Sequence, residues 1–312
     1  MKILIAGGFG YLGGRMAMHL SSLGHEVFLG SRNSKSKPDW LLKGDVVKLN
    51  WEDHESLLFA CRNMDIVLQM SGLNAYECFS DPKAALKVNG EFTGRLASAS
   101  KEKKVEKFIY LSTAHVYNGN LKGRINENTN PSNDHPYATS HIAGEKEVIL
   151  NSNEQMKGVI VRLANSFGYP SRIDNDCWSL VANDLSRQAS ENNELVIRGS
   201  PNNLRNFITL TDVCNGIEFL MHHKMEPGSV LTCNLGDKTM SIYDLASQIK
   251  EIYKEVTGIE LPINSEIEKL ASDSNALIFE SKLMKSIGFR WNSNFYEELK
   301  DLIKFCELSF KN

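Results

Sequence analysis

The chain has 312 residues, 42% of them hydrophobic and 23% charged, a length that reads as two domains or one large α/β domain at about 150 residues each. Lys and Arg total 35 against 38 Asp and Glu, a formal charge of −3, which excludes a large electrostatic footprint for nucleic acid or an anionic membrane. No apolar run approaches the roughly 20 residues that cross a bilayer, and the apolar stretch of MKILIAGGFG is too short for a signal peptide.

The first half alternates β-rich runs with amphipathic stretches. Lys2–Ala6 reads as a buried strand; Leu12, Met16, Leu20 and Leu23 then recur at helical spacing until Gly24 stops them. Further strands are predicted at Glu26–Gly30, Val46–Leu49, Asp65–Gln69, Lys107–Ser112 and Gly158–Leu163, with helices over about Pro82–Lys101 and Tyr137–Leu150. This rhythm predicts a doubly wound parallel α/β sheet of the Rossmann type, its strands buried on both faces. After about Asn165 the elements shorten. Ser241-x-x-Asp244 looks like a capping box, opening a helix with Ile242, Leu245, Ile249, Ile252 and Val256 on one face and Gly258 at its end. A closing helix carries Phe295, Leu299, Leu302 and Cys306 on one side. Residues 1–165, completed by part of 205–235, are expected to form a dinucleotide-binding domain, and 166–312 mainly a smaller α/β substrate domain. The six cysteines show no CxxC and no framework spacing, so reduced, packed thiols, a cytoplasmic setting and no metal site are expected.

Gly7-Gly8-Phe9-Gly10-Tyr11-Leu12-Gly13 follows the first strand and opens the first helix. Glycine permits the sharp turn, the approach of a pyrophosphate to the helix N-terminus and close packing on the sheet, so Gly7, Gly10, Tyr11, Leu12 and Gly13 are expected to cradle a dinucleotide. An NAD site wants an acidic residue at the end of the second strand. Here Gly30-Ser31-Arg32 stands there, with Lys35 and Lys37 behind it. Arg32 can hold a 2′-phosphate through its planar fork, which favours NADP over NAD, though a solvated basic loop is the plainer alternative. Asn50, ending the third strand, is expected to reach the adenine amine.

With these motifs the sequence resembles the extended short-chain dehydrogenase/reductase family, the nucleotide-sugar epimerases, dehydratases and reductases. The resemblance also rests on Asn89, on Ser112-Thr113-Ala114-His115-Val116-Tyr117, on Tyr137 in PYATSH, on Arg162-Leu163-Ala164-Asn165 and on Arg205-Asn206-Phe207-Ile208-Thr209-Leu210-Thr211-Asp212-Val213. It implies that Thr113 hydrogen-bonds the sugar oxygen and that Tyr137 exchanges the proton while a nicotinamide exchanges the hydride. Such a family places lysine four residues after the tyrosine, to favour the phenolate and bind the ribose; this chain has His141. Histidine there can still donate to a ribose hydroxyl, but it is cationic only below a pKa near 6.5.

In the dehydratase branch the two positions after the threonine carry Asp and Glu; here Ala114 and His115 stand there, so dehydration is not expected. His115 is either a base near the sugar or a polar packing residue. Asn165 and Arg205 match positions that contact a diphosphate, for which a guanidinium is apt; Arg205 in a surface ion pair is the alternative. Lys269 and Asp273 are the nearest matches to a further base- and diphosphate-binding pair. The expected activity is 4-keto reduction or C4 epimerisation of a nucleotide-activated sugar, against the alternative of a catalytically impaired, NADP-binding regulatory or scaffold subunit. A homodimer is implied by resemblance, with Leu86, Phe92 and Leu96 as a seam or, equally, as a core-facing stripe.

Overall fold

The computed structural model describes residues 1–119, 121–265 and 276–311. In chain order its first elements are β1 (Lys2–Ala6), α1 (Tyr11–Ser22), β2 (Glu26–Ser31), β3 (Gly44–Lys48), α2 (His54–Cys61), β4 (Ile66–Gln69), α3 (Ala75–Ser80) and α4 (Pro82–Ala85). A π-helical turn (Leu86–Glu91) then leads into α5 (Phe92–Glu102) and β5 (Lys107–Thr113). A 3-10 turn (Ala114–Val116), β6 (Gly123–Ile125), α6 (Pro136–Asn151), β7 (Lys157–Leu163) and β8 (Asn165–Phe167) follow. The remainder comprises α7 (Val181–Asn192), β9 (Leu195–Ile197), β10 (Leu204–Thr209), α8 (Leu210–His222), β11 (Val230–Leu235), β12 (Lys238–Ser241), α9 (Ile242–Thr257), β13 (Ile263–Ser265), β14 (Leu277–Phe279), α10 (Lys282–Ser286) and α11 (Phe295–Phe310).

The chain divides into two compact units. The first comprises Met1–Asn120, Thr129–Leu163 and Gly216–Asn234; the second comprises Leu121–Asn128, Ala164–Asn215 and Leu235–Asn312. The main sheet has the order β11-β7-β5-β4-β1-β2-β3, and every pairing from β3 across to β7 is parallel. The strand order reverses between β1 and β4, the switch point at which doubly wound sheets bind nucleotides. The expected Rossmann sheet is therefore present. One core of this unit joins Leu4, Val67, Phe108 and Ile160 to Phe92 and Leu96 of α5.

Several sequence expectations need correction. The helix predicted over Pro82–Lys101 is not continuous: six residues of π-helix, Leu86–Glu91, interrupt it. The third strand begins at Gly44 and ends at Lys48, so Asn50 lies two residues beyond its end. Leu23 is half exposed, and α1 instead buries Met16, Ala17 and Leu20. Phe92 and Leu96 are 1% and 0% exposed, packed in the core of their own unit, so they cannot form a seam between copies; Leu86 is 46% exposed.

In the second unit, β10 pairs antiparallel with β12 and parallel with β8, and the short pairs β13–β9 and β14–β6 are both parallel. Helices α7, α9 and α11 enclose a core that includes Leu185, Leu245, Ile249, Ile252, Phe295, Leu299, Leu302 and Cys306. The Ser241–Asp244 capping box forms reciprocally, and Gly258 ends α9 with φ +78°. All six cysteines are free and buried, and no helix among the described residues is long and apolar enough to cross a membrane.

Lys107, 3% exposed at the start of β5, donates to the carbonyls of Leu220, Met221 and His223 at 2.8, 2.7 and 2.9 Å. It satisfies acceptors that the end of α8 leaves without helical partners, and burial holds its pKa below the usual lysine value. Lys107→Met is expected to lower the unfolding free energy by about 2–4 kcal/mol, the cost of leaving several buried acceptors unpaired, as measured by urea denaturation.

Candidate active site

The loop after β1 is built for close approach. Gly7 has φ +84°, and a side-chain carbon there would sit 2.9 Å from the backbone of Ser71, beyond β4. A side chain at Gly13 would collide with the Gly7 carbonyl. Gly10 caps α1 with no side-chain hydrogen bond, and the first turn, which Tyr11, Leu12 and Gly13 begin, holds no acidic residue. The N-terminus of α1 thus keeps its positive end free of internal anions, which suits a pyrophosphate over a glycine cradle.

Beyond β2, a cavity of about 360 Å³ is lined by Arg32, Lys48, Leu49, Asn50, Trp51 and Glu52. The Arg32 guanidinium lies over the Trp51 ring, 5.1 Å from its centroid, and Trp51 stacks on Phe92 at 3.7 Å. Ser31 ends β2. Glu52 is held by Lys87 and Arg95 at 2.6 and 2.9 Å, and these cations keep its carboxyl below the usual range. The Asn50 amide oxygen accepts from the Glu52 backbone N–H at 3.3 Å. Lys35 lies over Phe9, and Lys37 donates to the Gly44 carbonyl.

The candidate acid–base residues meet where α6 passes β5. Tyr137 stands in the first turn of α6, whose N-cap is His135: its Nδ1 accepts from the Tyr137 N–H at 3.1 Å. Thr113 ends β5 and caps the following 3-10 turn by accepting from the His115 N–H. Burial raises the Tyr137 phenol above its ordinary pKa, and the Thr113 side chain partly offsets this. His141, one helical turn on, packs edge-on against Tyr137 with centroids 4.6 Å apart, and the His115 ring lies 6.5 Å from that of Tyr137. His141 is 7% exposed, and burial, with a smaller contribution from His115, pushes its pKa down to about 4. The ring is therefore neutral at ordinary pH, and no cation stands at this position to favour the phenolate.

Several supporting residues, Tyr110, Glu145 and Asn234 among them, were given no role by the sequence, and Asn89, Ser112, Tyr117 and Arg162 entered only as parts of motifs. Tyr110, on β5, places its hydroxyl 2.9 Å from His141 Nδ1. Glu145, the next rung of α6 after Tyr137 and His141, accepts from Ser112 at 2.6 Å and from two nitrogens of Arg162 at 3.0 and 2.7 Å. Arg162 also donates to the Tyr117 hydroxyl, which donates to Asn234 at 2.6 Å. The alternation of β5, which puts Tyr110 and Ser112 on one face, and the four-residue spacing of Tyr137, His141 and Glu145 were the signals available. Asn89 sits inside the π turn, where its side chain accepts from the Leu73 N–H and donates to Ser140.

Asn165 and Arg205 belong to the second unit. Asn165 donates to the Asn206 carbonyl at 2.9 Å. The half-buried Arg205 guanidinium donates to the Leu204 carbonyl, and burial lowers its pKa; no ion pair engages it among the described residues. The surface ion pair weighed for Arg205 is thus not formed among them. Lys269 and Asp273 lie outside the described residues.

Residues 3–236 match the family model described as the NAD dependent epimerase/dehydratase family. The chain is 27% identical, over an alignment of 340 positions, to human dTDP-D-glucose 4,6-dehydratase, covering 100% of this chain and 91% of that protein. Among solved structures it resembles MoeE5 in complex with UDP-glucose and NAD, with TM-score 0.81, 19% identity and full coverage of both chains. It also resembles the UDP-glucose 4-epimerase of Thermotoga maritima with UDP-glucose, with TM-score 0.79, 21% identity and full coverage of both. At these identities the two structures establish the fold alone.

The neutral histidine has a thermodynamic consequence. An unfolded imidazole titrates near 6.5, whereas that of His141 is pushed down to about 4. Between these values the unfolded chain binds the proton and the folded chain does not, so stability falls as pH drops through the window. This residue is expected to remove on the order of 3 kcal/mol between about pH 7 and pH 4. Urea midpoints across that range are expected to fall less steeply in His141→Gln than in the wild type.

Proposed function

The chain belongs to the NAD dependent epimerase/dehydratase family, and from that premise we propose that it reduces a ketone, at C4, on a nucleotide-activated sugar with NADPH. The observation that carries this reading is the buried His141 packed edge-on against Tyr137, where burial lowers the imidazole pKa and raises that of the phenol. Reduction needs a proton delivered to the carbonyl oxygen as the carbon receives hydride. A phenol raised by burial, with no neighbouring cation to ionise it, waits in the donor state. Epimerisation by the same residues begins with Tyr137 as a base, which this environment disfavours. Thr113, whose side chain works against the rise in the Tyr137 pKa, would hold the same substrate oxygen.

When bound, the nicotinamide supplies the hydride. The chain's own part is to hold the dinucleotide: Gly7, Gly10, Tyr11, Leu12 and Gly13 at the pyrophosphate, Asn50 at the adenine, and His141 at the ribose as a neutral donor. Although NAD is named with one of the structures above, Ser31 and Arg32 support NADPH here. No carboxylate ends β2, and the one lining the adjacent cavity, Glu52, is already neutralised by Lys87 and Arg95. Arg205 suits the diphosphate of the substrate because a desolvated guanidinium gains most from an anion, and Asn165 is assigned beside it by its place in the motif. Dehydration is disfavoured because Ala114 has no proton to give.

The test is to offer the protein 4-deuterated NADPH, and NADH in parallel, with a panel of nucleotide-linked 4-keto sugars. Deuterium at C4 of the product, with NADPH preferred, is the expected result. Tyr137→Phe should lower turnover by about 10²–10⁴-fold, the scale of a lost general acid, while NADPH binding is retained. Interconversion of C4 epimers on a tightly held NAD, without net NADPH consumption, overturns the reductase reading. Full function in Tyr137→Phe would instead support the scaffold alternative.

A further inference from the structure

We propose that Tyr110 is a positioning residue for His141: its hydroxyl donates to Nδ1 and fixes the imidazole in the tautomer that carries its proton on Nε2. This deepens the reading above and rests on it for one point only, that the Nε2–H then serves the cofactor ribose.

The Tyr110 oxygen has two acceptors nearby, His141 Nδ1 at 2.9 Å and the Asn89 carbonyl at 3.4 Å. A phenol has one hydrogen. The Asn89 carbonyl keeps a second lone pair beyond the one that accepts from the Thr93 hydroxyl, but at 3.4 Å against 2.9 Å it lies farther off, so the single hydrogen is assigned to the shorter contact, the imidazole nitrogen. An Nδ1 that accepts cannot carry the proton of a neutral ring, and the proton is left on Nε2.

Packing holds this arrangement in place. Tyr110 is 1% exposed, and its ring stacks on His141 with centroids 5.9 Å apart and planes tilted by 28°. Helix α6 comes close here because position 144 is glycine: a side-chain carbon on Gly144 would lie 2.5 Å from the Tyr110 oxygen and 2.6 Å from the Asn89 carbonyl. Asn89 is itself fixed by its contacts to Leu73 and Ser140 across the π turn. The π turn, Gly144 and Tyr110 therefore act together on one ring. Where a lysine at this position would bring a charge, this chain brings a neutral N–H whose direction a second tyrosine sets.

The experiment is a long-range ¹H–¹⁵N correlation spectrum of histidine-labelled protein, with His141→Gln to assign the resonances. The expected wild-type pattern is a protonated Nε2 and an unprotonated Nδ1 on His141. In Tyr110→Phe the two tautomers should mix, and NADPH affinity should fall about tenfold, on the scale of one hydrogen bond, with little change in Tm. A wild-type proton on Nδ1, or a Tyr110→Phe spectrum identical to wild type, overturns the proposal. If Tyr110→Phe does not fold, the wild-type spectrum alone decides. Failure of the wild-type protein to bind either nicotinamide cofactor overturns the reductase reading instead, and the tautomer result stands apart from it.

Discussion

The buried ion pair between Glu145 and Arg162 is the constraint on which the catalytic region depends. Glu145 is 5% and Arg162 7% exposed, and two charges removed from water persist only with well-formed partners. Both have them: Ser112 and Arg162 bond the carboxylate, and Tyr117 takes a further guanidinium N–H. This network ties α6 to β5, β7 and, through Tyr117 and Asn234, to β11. A pair of this kind is weak evidence for net stability, but breaking it by removing one partner leaves an uncompensated charge at a cost of about 3–5 kcal/mol. Its consequence is positional. Because Tyr137, His141 and Glu145 share one face of α6, the clamp at Glu145 also sets how deeply the other two are held.

That depth decides the chemistry. Position 141 is dry, and in a dry site a titratable ring gives up its charge unless a counter-charge is present. The nearest hydrogen-bonding neighbour is Tyr110, a neutral phenol whose own pKa burial raises well above the ordinary value. The same burial raises the Tyr137 phenol above its ordinary pKa. On the proposed reading the site offers undissociated donors, a state that suits protonating a nascent alkoxide better than beginning an oxidation. The glycine loop and the uncapped start of α1 are independent of this choice; their proposed hold on the dinucleotide is the same whichever way the proton moves.

The sheet and the glycine loop after β1 were legible in the sequence because each depends on local signals: apolar runs of strand length, glycines at a strand–helix junction, the reciprocal cap at Ser241 and Asp244, and Gly258 at the end of α9. The π turn was not, since Leu86–Glu91 carries no proline, and Val88, Asn89 and Gly90, though weak helix formers, do not by themselves mark a π register; Asn89 there bonds Leu73 and Ser140, both distant in sequence. Phe92 and Leu96 illustrate a related limit, because helical periodicity marks an apolar stripe without saying what covers it. Thr113, Tyr137 and His141 were identifiable from their motif. The environment of His141 was not, because it is created by Tyr110 on another element, and a tyrosine within a buried strand run is indistinguishable by pattern from a packing residue.

The protonation state of Tyr137 in the free protein is the most direct measure of this account. With tyrosine labelled with ¹³C at the ζ carbon and the resonance assigned through Tyr137→Phe, the account predicts that Tyr137 remains a phenol up to about pH 9, where an ordinary tyrosine begins to ionise. A phenolate already present near pH 7 would contradict it, showing that His141 or another group supplies the charge this site is said to lack.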